Sequence, residues 1–230
     1  MTKYKHIFFD LDRTLWDFES NSLITLKELF DTYLAGNGVE KFDCFHTYYQ
    51  AYNHSLWMQY RVGEIDKEFL SVERFAGTLR NFNIMDHELA KKIASDYIRI
   101  SPTKTQLYPD ALNVVEELSS RYQMHIITNG FSEVQFIKVE NSGLAPFFKT
   151  IITSEMAGFQ KPNPEIFHYT LEKIGAKIAE TIMIGDDLEA DILGAKNIGM
   201  DQVYVNFEKK THSEQASFEV NQLISLLNIL

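Results

Sequence analysis

Two carboxylates and a hydroxyl stand close together near the start of the chain, in Asp10-Leu11-Asp12-Arg13-Thr14. They directly follow Ile7-Phe8-Phe9, an apolar run that is typical of a buried strand. Because side chains alternate along an extended chain, Asp10 and Asp12 lean to the same side. Two anions this close are usually accommodated by a shared proton or by a hard divalent cation with oxygen ligands. We therefore predict a metal-assisted site, with a turn or a helix cap as the plainer alternative.

Two further polar groups follow apolar runs in the second half of the chain. Thr128-Asn129-Gly130 offers a hydroxyl, an amide and a glycine whose backbone N–H can approach a phosphate closely. A turn into a helix that Ser132 caps explains the same residues. Lys161 stands before two prolines that stiffen the backbone, and a cation held there would offset negative charge on a transferring phosphoryl group. A solvated surface lysine is the alternative.

A cluster of four acids comes directly after the apolar run Ile182–Ile184, at Asp186, Asp187, Glu189 and Asp191. Four acids exceed what the capping of one helix needs, and this favours metal binding. We predict that Asp186, nearest the strand end, is a direct ligand. For Asp187 and Asp191 three roles stay open: binding the metal through water, orienting the lysine, or favouring a helix N-terminus.

The elements that must position these groups alternate between short apolar runs and amphipathic stretches, which is the pattern of a parallel α/β sheet. Strands are predicted at 5–9, 124–128, 150–153, 181–184 and 202–205. Helices are predicted at 110–121 (with Leu112, Val115 and Leu118 facing the core), 132–141, 165–174 and 190–196, with a closing helix at 223–230. The polar groups all follow strands, where open α/β sheets bind ligands. We therefore predict an α/β fold with a doubly wound, Rossmann-like parallel sheet.

Residues 16–101 contain no strand-like run and have helical spacing throughout. The apolar positions that predict four helices are Leu23, Leu26, Leu29, Phe30 and Tyr33; Phe45, Tyr48, Tyr49, Tyr52, Leu56 and Tyr60; Phe69, Leu70, Phe75 and Leu79; and Leu89, Ile93 and Tyr97 after an Asp86 cap. The segment is predicted to be a small helical bundle inserted into the sheet domain. We place the α/β core domain at residues 1–15 and 102–230, and the helical domain at 16–101.

Composition limits the classes of function. The formal net charge of −10 provides no basic surface for nucleic acid or for an anionic membrane, and this favours a small-molecule substrate. Cys44 is the one cysteine and has no catalytic motif around it, so we predict a buried or interface thiol. The apolar stretch near the N-terminus is too short for a secretory signal or a membrane span, and the cytoplasm is the expected compartment. The oligomeric state stays open.

The order of these motifs, Asp10-x-Asp12-x-Thr14, then Thr128, then Lys161, then Gly185-Asp186-Asp187, resembles the haloacid dehalogenase superfamily. All four motifs of that superfamily occur in order after predicted strands, and the helical insertion is similar to its type 1 cap. Three stretches, 127–131, 159–162 and 17–18, look similar to the bacterial pyrimidine 5'-nucleotidases in particular.

The resemblance implies a two-step phosphoryl transfer. Asp10 would attack phosphorus to give an aspartyl phosphate, and Asp12 would protonate the leaving oxygen and then activate water. Thr128 and the Asn129 backbone would bind the phosphoryl oxygens, and Lys161 would offset charge on nucleophile and phosphate. The implied cofactor is Mg2+, bound by Asp10, the Asp12 main-chain carbonyl and Asp186.

The sequence also bears on the choice within that superfamily. Asp12 favours a phosphatase, because dehalogenases of the superfamily generally lack an acid there. Arg13 departs from the small residue that is common at its position and leaves the chemical positions intact. We expect Trp16 and Phe18, so close to the catalytic acids, to help enclose the substrate.

The expected substrate is a small phosphorylated metabolite, a (deoxy)nucleoside 5'-monophosphate in particular. The alternatives are a sugar-phosphate or phosphoglycolate phosphatase and a phosphoglucomutase-like transferase. A haloacid dehalogenase and a non-catalytic phospho-switch are less favoured, because the first does not need Asp12 and the second does not need an insertion of this size.

Overall fold

A computed structural model describes residues 3–230, which form two compact units. One unit contains the chain up to Phe18 together with Thr105–Leu230, and the other is Glu19–Lys104. The divisions therefore fall three residues after the boundaries that the sequence analysis placed at 15/16 and 101/102.

The first unit, called the α/β unit below, is built on one parallel sheet of six strands. The strands are β1 (His6–Phe9), β2 (Gln123–Thr128), β3 (Phe148–Thr153), β4 (Thr181–Gly185), β5 (Asp201–Val205) and β6 (Phe218–Val220). Their order across the sheet is β3-β2-β1-β4-β5-β6, so the chain winds outwards from β1 in both directions. This confirms the predicted fold class. The short edge strand β6 was not predicted, because its three residues include an exposed Phe218 and an exposed Glu219 and have no apolar run.

Helices that accompany this sheet are α5 (Ala111–Ser119), α6 (Ser132–Asn141), α7 (Ser154–Ala157), α8 (Pro164–Ile174) and α9 (Gly194–Asn197), numbered after four helices near the N-terminus. The predicted role of Leu112 as a core residue of α5 was wrong, since 42% of it is exposed. The buried positions of α5 are Ala111, Val114, Val115 and Leu118, which follow the i, i+3, i+4, i+7 spacing that Leu112 breaks. Helix α8 ends at Ile174, as predicted, and the next residue, Gly175, has φ +67°, a left-handed conformation that ends the helix.

Two helix predictions in the second half need correction. The segment predicted as one helix at 190–196 is a π-helical stretch, Leu188–Leu193, followed by the single turn of α9. The closing helix at 223–230 is a run of 3-10 helix, Leu223–Asn228. Leu223, Leu226 and Leu230 nevertheless join the core on one face of the sheet. The segment therefore closes the chain as predicted, but with a different type of helix.

The helical unit contains the four predicted helices, α1 (Phe18–Tyr33, whose first residue belongs to the α/β unit), α2 (Phe42–Arg61), α3 (Lys67–Asn81) and α4 (His87–Ile100). Its core combines aliphatic side chains with the aromatic rings of Phe30, Phe45, Tyr49, Phe75 and Tyr97. The Asp86 carboxylate accepts a hydrogen bond from Leu89 N at 2.9 Å, which confirms the predicted cap of α4.

Several residues expected in the interior of the helical unit lie at its surface. Leu23 is 41% exposed, Phe69 is 48% exposed and Tyr48 is 36% exposed, since each sits at the edge of an otherwise buried stripe. Cys44 is also exposed rather than buried. Within residues 3–230, none of the helices combines the length and the apolar character that crossing a membrane requires.

Candidate active site

The predicted polar groups follow three adjacent strands of the sheet. Asp10 comes after β1, Thr128 ends β2, and Asp186 comes after β4. Phe9 is level with Ile126 on one side and with Ile184 on the other, so the chain leaves all three strands at one edge. Parallel strands bring their carboxyl ends together, and residues far apart in sequence therefore meet there.

Lys161, which lies between β3 and α8, has its ammonium group at the centre of this edge. The Nζ atom donates to Asp10 Oδ1 at 2.6 Å, to Asp191 Oδ1 at 2.6 Å and to the Ile127 carbonyl at 2.8 Å. These bonds use all three N–H groups of the ammonium, and the residue is 2% exposed. Burial acts to lower the pKa of Lys161, but the negative charges of Asp10 and Asp191 outweigh burial and raise it. The lysine is therefore a fixed cation.

Three carboxylates converge beside this cation, and two of them, Asp10 and Asp191, are its hydrogen-bond acceptors. One oxygen each of Asp10, Asp186 and Asp191 lie within 4.8 Å of one another. Burial raises the pKa of Asp10 well above its usual range, although Lys161 acts in the opposite direction. Burial, followed by the charge of Asp191, raises the pKa of Asp186 to about 7. The donor set fits a hard divalent cation, because one lysine does not offset two buried carboxylates and a third that is half-buried, and Mg2+ prefers oxygen ligands.

The neighbours of this cluster orient its members. Thr14 Oγ1 donates to Asp186 Oδ1 at 2.8 Å, so this hydroxyl holds a candidate ligand. Asp191, in addition to binding Lys161, accepts from Asp187 N at 3.1 Å through its second oxygen. A side chain at Gly185 would occupy the place of the Asp191 carboxylate, and this close approach is why glycine is required there.

Asp187 and Asp191, which the sequence analysis treated alike, have different surroundings. Asp187 Oδ1 accepts from Glu189 N and Ala190 N, both at 2.9 Å, and so caps the following helical stretch. Asp191 orients Lys161 and stands in the carboxylate cluster. Of the three roles that the sequence left open, Asp187 therefore has that of a helix cap and Asp191 that of orienting the lysine.

Asp12 stands apart from the cluster and is held from α6. Its Oδ1 accepts from Lys138 Nζ at 2.6 Å, and its Oδ2 accepts from Gln135 Nε2 at 2.7 Å. Neither Lys138 nor Gln135 was predicted from the sequence. On α6 these polar residues are 3% and 1% exposed while the adjacent Phe136 and Ile137 are each 42% exposed, the inverse of the usual amphipathic pattern, so no signal in the sequence indicated them.

Thr128 and Asn129 have distinct contacts. Thr128 Oγ1 accepts from Gly130 N and from Gln135 Nε2, both at 3.1 Å, which leaves the hydroxyl hydrogen as a donor. The Asn129 side chain donates to the Lys161 carbonyl at 2.9 Å and accepts from Lys161 N at 2.8 Å. The side-chain amide of Asn129 therefore orients the backbone of Lys161.

The structure contradicts the prediction for Trp16, and it also contradicts the alternative in which Ser132 caps a helix. Trp16 was expected to present aromatic surface to a substrate, but it is 0% exposed and packs in the core of the α/β unit, where Lys138 Nζ lies 4.0 Å from its ring centroid. Phe18 is half-buried, and the Arg13 guanidinium lies 4.3 Å from its ring centroid. Ser132 is the first residue of α6 rather than its cap, and its hydroxyl hydrogen-bonds Thr153 Oγ1 at 2.6 Å.

Comparisons with known proteins agree with this geometry. A family model described as haloacid dehalogenase-like hydrolase matches residues 4–199. The magnesium-bound crystal structure of the HAD-hydrolase YfnB from Bacillus subtilis is similar with a TM-score of 0.90 and 30% identity, covering 99% of each chain. The pyrimidine 5'-nucleotidase YjjG of Escherichia coli is 33% identical over 92% of this chain and 90% of its own length. A glyceraldehyde 3-phosphate phosphatase of Methanothermobacter thermautotrophicus is 30% identical over 95% of this chain and 92% of its own.

Proposed function

The chain belongs to the haloacid dehalogenase-like hydrolases, and we propose that it is a magnesium-dependent phosphatase of small phosphomonoesters. The observation that carries the proposal is the Lys161 ammonium, fixed by three acceptors and 2.6 Å from Asp10, at the edge where the carboxylates converge. A fixed cation beside a carboxylate nucleophile suits the attack of an anion on a phosphate dianion, because charge repulsion is otherwise the main obstacle.

In the first half of the reaction, an oxygen of Asp10 attacks phosphorus and the bond from phosphorus to the ester oxygen breaks. Asp12 donates its proton to that leaving oxygen, so the alcohol departs neutral. In the second half, Asp12 takes a proton from water, and the water oxygen attacks phosphorus to release inorganic phosphate and regenerate Asp10. One carboxyl group thus serves both halves by returning the proton it gave.

The rest of the site binds and orients the phosphoryl group. The Thr128 hydroxyl and the Asn129 backbone N–H are donors for its oxygens, and Lys161 offsets the charge that collects between Asp10 and the phosphate. Asp10, the Asp12 main-chain carbonyl and Asp186 would hold Mg2+. When bound, Mg2+ supplies positive charge to the phosphoryl oxygens and to the carboxylate cluster.

Asp12 separates this proposal from the other reactions of the family. A halide leaves without being protonated, whereas an alkoxide does not, so an acid beside the nucleophile is needed for a phosphomonoester and not for a haloacid. A phosphoglucomutase-like transferase would return the phosphoryl group to substrate, and a phospho-switch would retain it. Release of many equivalents of inorganic phosphate to water distinguishes hydrolysis from both.

For the substrate we propose a nucleoside 5'-monophosphate, because the relative from Escherichia coli is a pyrimidine 5'-nucleotidase at 33% identity over nearly the whole chain. A triose phosphate is the second candidate, since a glyceraldehyde 3-phosphate phosphatase is 30% identical over a similar length. Both are phosphomonoesters of primary alcohols, and the chemistry described above serves either.

The test is phosphate release from a panel of pyrimidine and purine nucleoside 5'-monophosphates, glyceraldehyde 3-phosphate, hexose phosphates and phosphoglycolate, with Mg2+ or with a chelator. We expect turnover that depends on Mg2+ and falls by at least about 10³-fold in Asp10→Asn. Asp31→Asn, a change of the same kind on the exposed surface of α1, is the matched control and should leave turnover unchanged. Activity that survives Asp10→Asn would contradict the proposed nucleophile.

A further inference from the structure

Helix α6 places two buried polar side chains, three residues apart, against one carboxylate. Lys138 is 3% exposed and Gln135 is 1% exposed, and each donates to a different oxygen of Asp12. The spacing of three residues puts both on the same face of the helix. Asp12 is therefore held at both ends of its carboxylate by one rigid element.

The surroundings of Lys138 indicate that its charge serves Asp12. Its Nζ lies 2.6 Å from Asp12 Oδ1, 4.0 Å from the Trp16 ring centroid and 5.7 Å from that of Phe18. Removing an ammonium from water is costly, and one carboxylate and two aromatic faces repay that cost in part. A helix position that packs against tryptophan would accept an apolar residue at no such cost. Among residues 3–230, Asp12 is the carboxylate with which Lys138 forms an ion pair.

Gln135 links the two halves of the site. Its Nε2 donates one hydrogen to Asp12 Oδ2 at 2.7 Å and the other to Thr128 Oγ1 at 3.1 Å. The amide lies directly over Gly130, where any Cβ would occupy the place of the amide group. The Gln135 amide thus sets the distance between the proposed acid, Asp12, and the proposed phosphate-binding hydroxyl of Thr128. Only glycine at position 130 leaves room for this amide.

We propose that Lys138 and Gln135 are positioning residues for the acid–base Asp12. The inference rests on the proposed function, since it requires Asp12 to transfer a proton. Each carboxylate oxygen has two lone pairs, so each can accept from its holder and still carry the proton at the other position. The proton moves between Asp12, the leaving oxygen and water, and the two holders keep the carboxylate directed at the ester oxygen.

The test is a double-mutant cycle on kcat/KM. Lys138→Met and Gln135→Leu are measured alone and in an Asp12→Asn background, with p-nitrophenyl phosphate and with a simple alkyl phosphate. We expect each single change to lower kcat/KM for the alkyl ester by about tenfold to hundredfold. For p-nitrophenyl phosphate, whose leaving group needs no proton, the loss should be below about threefold. In the Asp12→Asn background neither change should have a further effect.

Three further variants complete the design. Lys138→Arg retains the charge and should restore most of the alkyl-ester activity. Lys91→Met removes a lysine from the exposed surface of α4 and is the control that should match the unmodified protein. Gln135→Leu removes no charge, so it keeps the test open if Lys138→Met does not fold.

Two results would overturn the inference. Equal losses for both esters, or the same loss with and without Asp12, would show that Lys138 and Gln135 act on folding or on phosphate binding instead. These outcomes are distinct from failure of the proposed function, which would show as an inactive unmodified protein or as an active Asp10→Asn variant.

Discussion

The two units of the chain bury charge in different ways. At the sheet edge of the α/β unit, buried lysines pair with buried or half-buried carboxylates, as Lys161 does with Asp10 and Asp191 and Lys138 does with Asp12. In the helical unit, Arg74 is 4% exposed, yet among residues 3–230 no carboxylate pairs with it. Its guanidinium donates to the Ser71 carbonyl at 3.3 Å and lies 4.6 Å from the Tyr97 ring centroid.

This difference separates two uses of a buried cation. Where cations meet carboxylates, each group fixes the position and the protonation state of the next, and such control is what phosphoryl transfer needs. Where a guanidinium lies among aromatic rings, it contributes packing area and polarisable contact, and an apolar chain of similar shape can replace it. We therefore expect the α/β unit to be intolerant of charge removal and the helical unit to be tolerant.

Lys161→Met tests this contrast where the largest effect is expected. It leaves Asp10 and Asp191 buried without their cation, which costs about 3–5 kcal/mol in the free energy of unfolding, and it removes the charge that faces the phosphate. We expect phosphate release to fall by about 10³-fold or more, with a lowered Tm. The measurements are denaturant unfolding and steady-state turnover. A stable and active Lys161→Met protein would contradict the expectation that the α/β unit does not tolerate removal of a buried charge.

A second prediction concerns buried histidines on β1 and β2, away from the sheet edge. Burial, followed by the charge of His6, lowers the pKa of His125 to about 4. Below its ordinary pKa of 6.5, His125 therefore takes up a proton in the unfolded chain before it does so in the folded one. The free energy of unfolding should fall between pH 6.5 and 4, by up to about 3 kcal/mol.

The check is the difference in unfolding free energy between the unmodified protein and His125→Phe across that range, at saturating Mg2+. The variant should lose most of the slope, because a phenyl ring keeps the edge contact with Phe8 and does not titrate. Equal slopes in the two proteins would assign the acid sensitivity to other groups. This experiment also tests whether the two histidines are the only titratable groups of the described α/β unit that are buried without an opposite charge.

A third prediction concerns Mg2+, which is expected to stabilise the α/β unit, where the carboxylate cluster lies. The pKa of Asp186 is raised to about 7, so without metal the folded protein favours a protonated carboxyl and loses stability as the pH rises from about 4 to 7. Mg2+ needs the ionised carboxylate, and its stabilisation should therefore be larger at pH 8 than at pH 6. At a hundredfold excess over Kd it amounts to about 2.7 kcal/mol.

Thermal unfolding with Mg2+ or with a chelator at the two pH values measures this effect. Asp186→Asn should abolish most of the Mg2+-dependent rise in Tm. The control is Asp201→Asn, which changes an acid at the start of β5 that pairs with Lys3. This variant should retain the Mg2+-dependent rise in Tm. A rise in Tm that is the same in all three proteins would place the metal elsewhere.

The smallest effect is expected for Arg74→Met in the helical unit. Methionine retains much of the length and the contact with Phe75 and Tyr97, while it removes a buried charge without a carboxylate partner. We expect a change in unfolding free energy of within about 1 kcal/mol, of either sign, and unchanged kcat with p-nitrophenyl phosphate. Destabilisation as large as that of Lys161→Met would show that the guanidinium is as tightly integrated as the catalytic lysine.

Much of the fold could be predicted because its signals are local. The starts of five strands were placed within two residues, and the four helices of the inserted segment were all predicted, since apolar spacing differs between strands and helices. The errors fall where local spacing is ambiguous or overridden. Leu112 was assigned to the wrong face of α5, and β6 has no apolar pattern of its own to detect.

For the candidate site, sequence was informative about which residue types could do chemistry and less so about their neighbours. Asp10, Lys161 and Asp186 were predicted to lie at one sheet edge, and they do. Their individual catalytic roles remain predictions. Lys138 and Gln135 went unnoticed, because a lysine and a glutamine on a helix are common on surfaces and nothing in α6 alone says which face is buried.

What the sequence determined by itself was an alternation of strands and helices with polar groups after the strands, because hydrophobic period and turn chemistry act over a few residues. Only the tertiary structure decided the partners. Asp187 became a helix cap and Asp191 a holder of Lys161, although they are only four positions apart in the sequence. Asp12 received its lysine from a helix 126 residues away. Such pairings depend on which strands lie side by side and on how each helix is rotated, and these are fixed by packing of the whole unit.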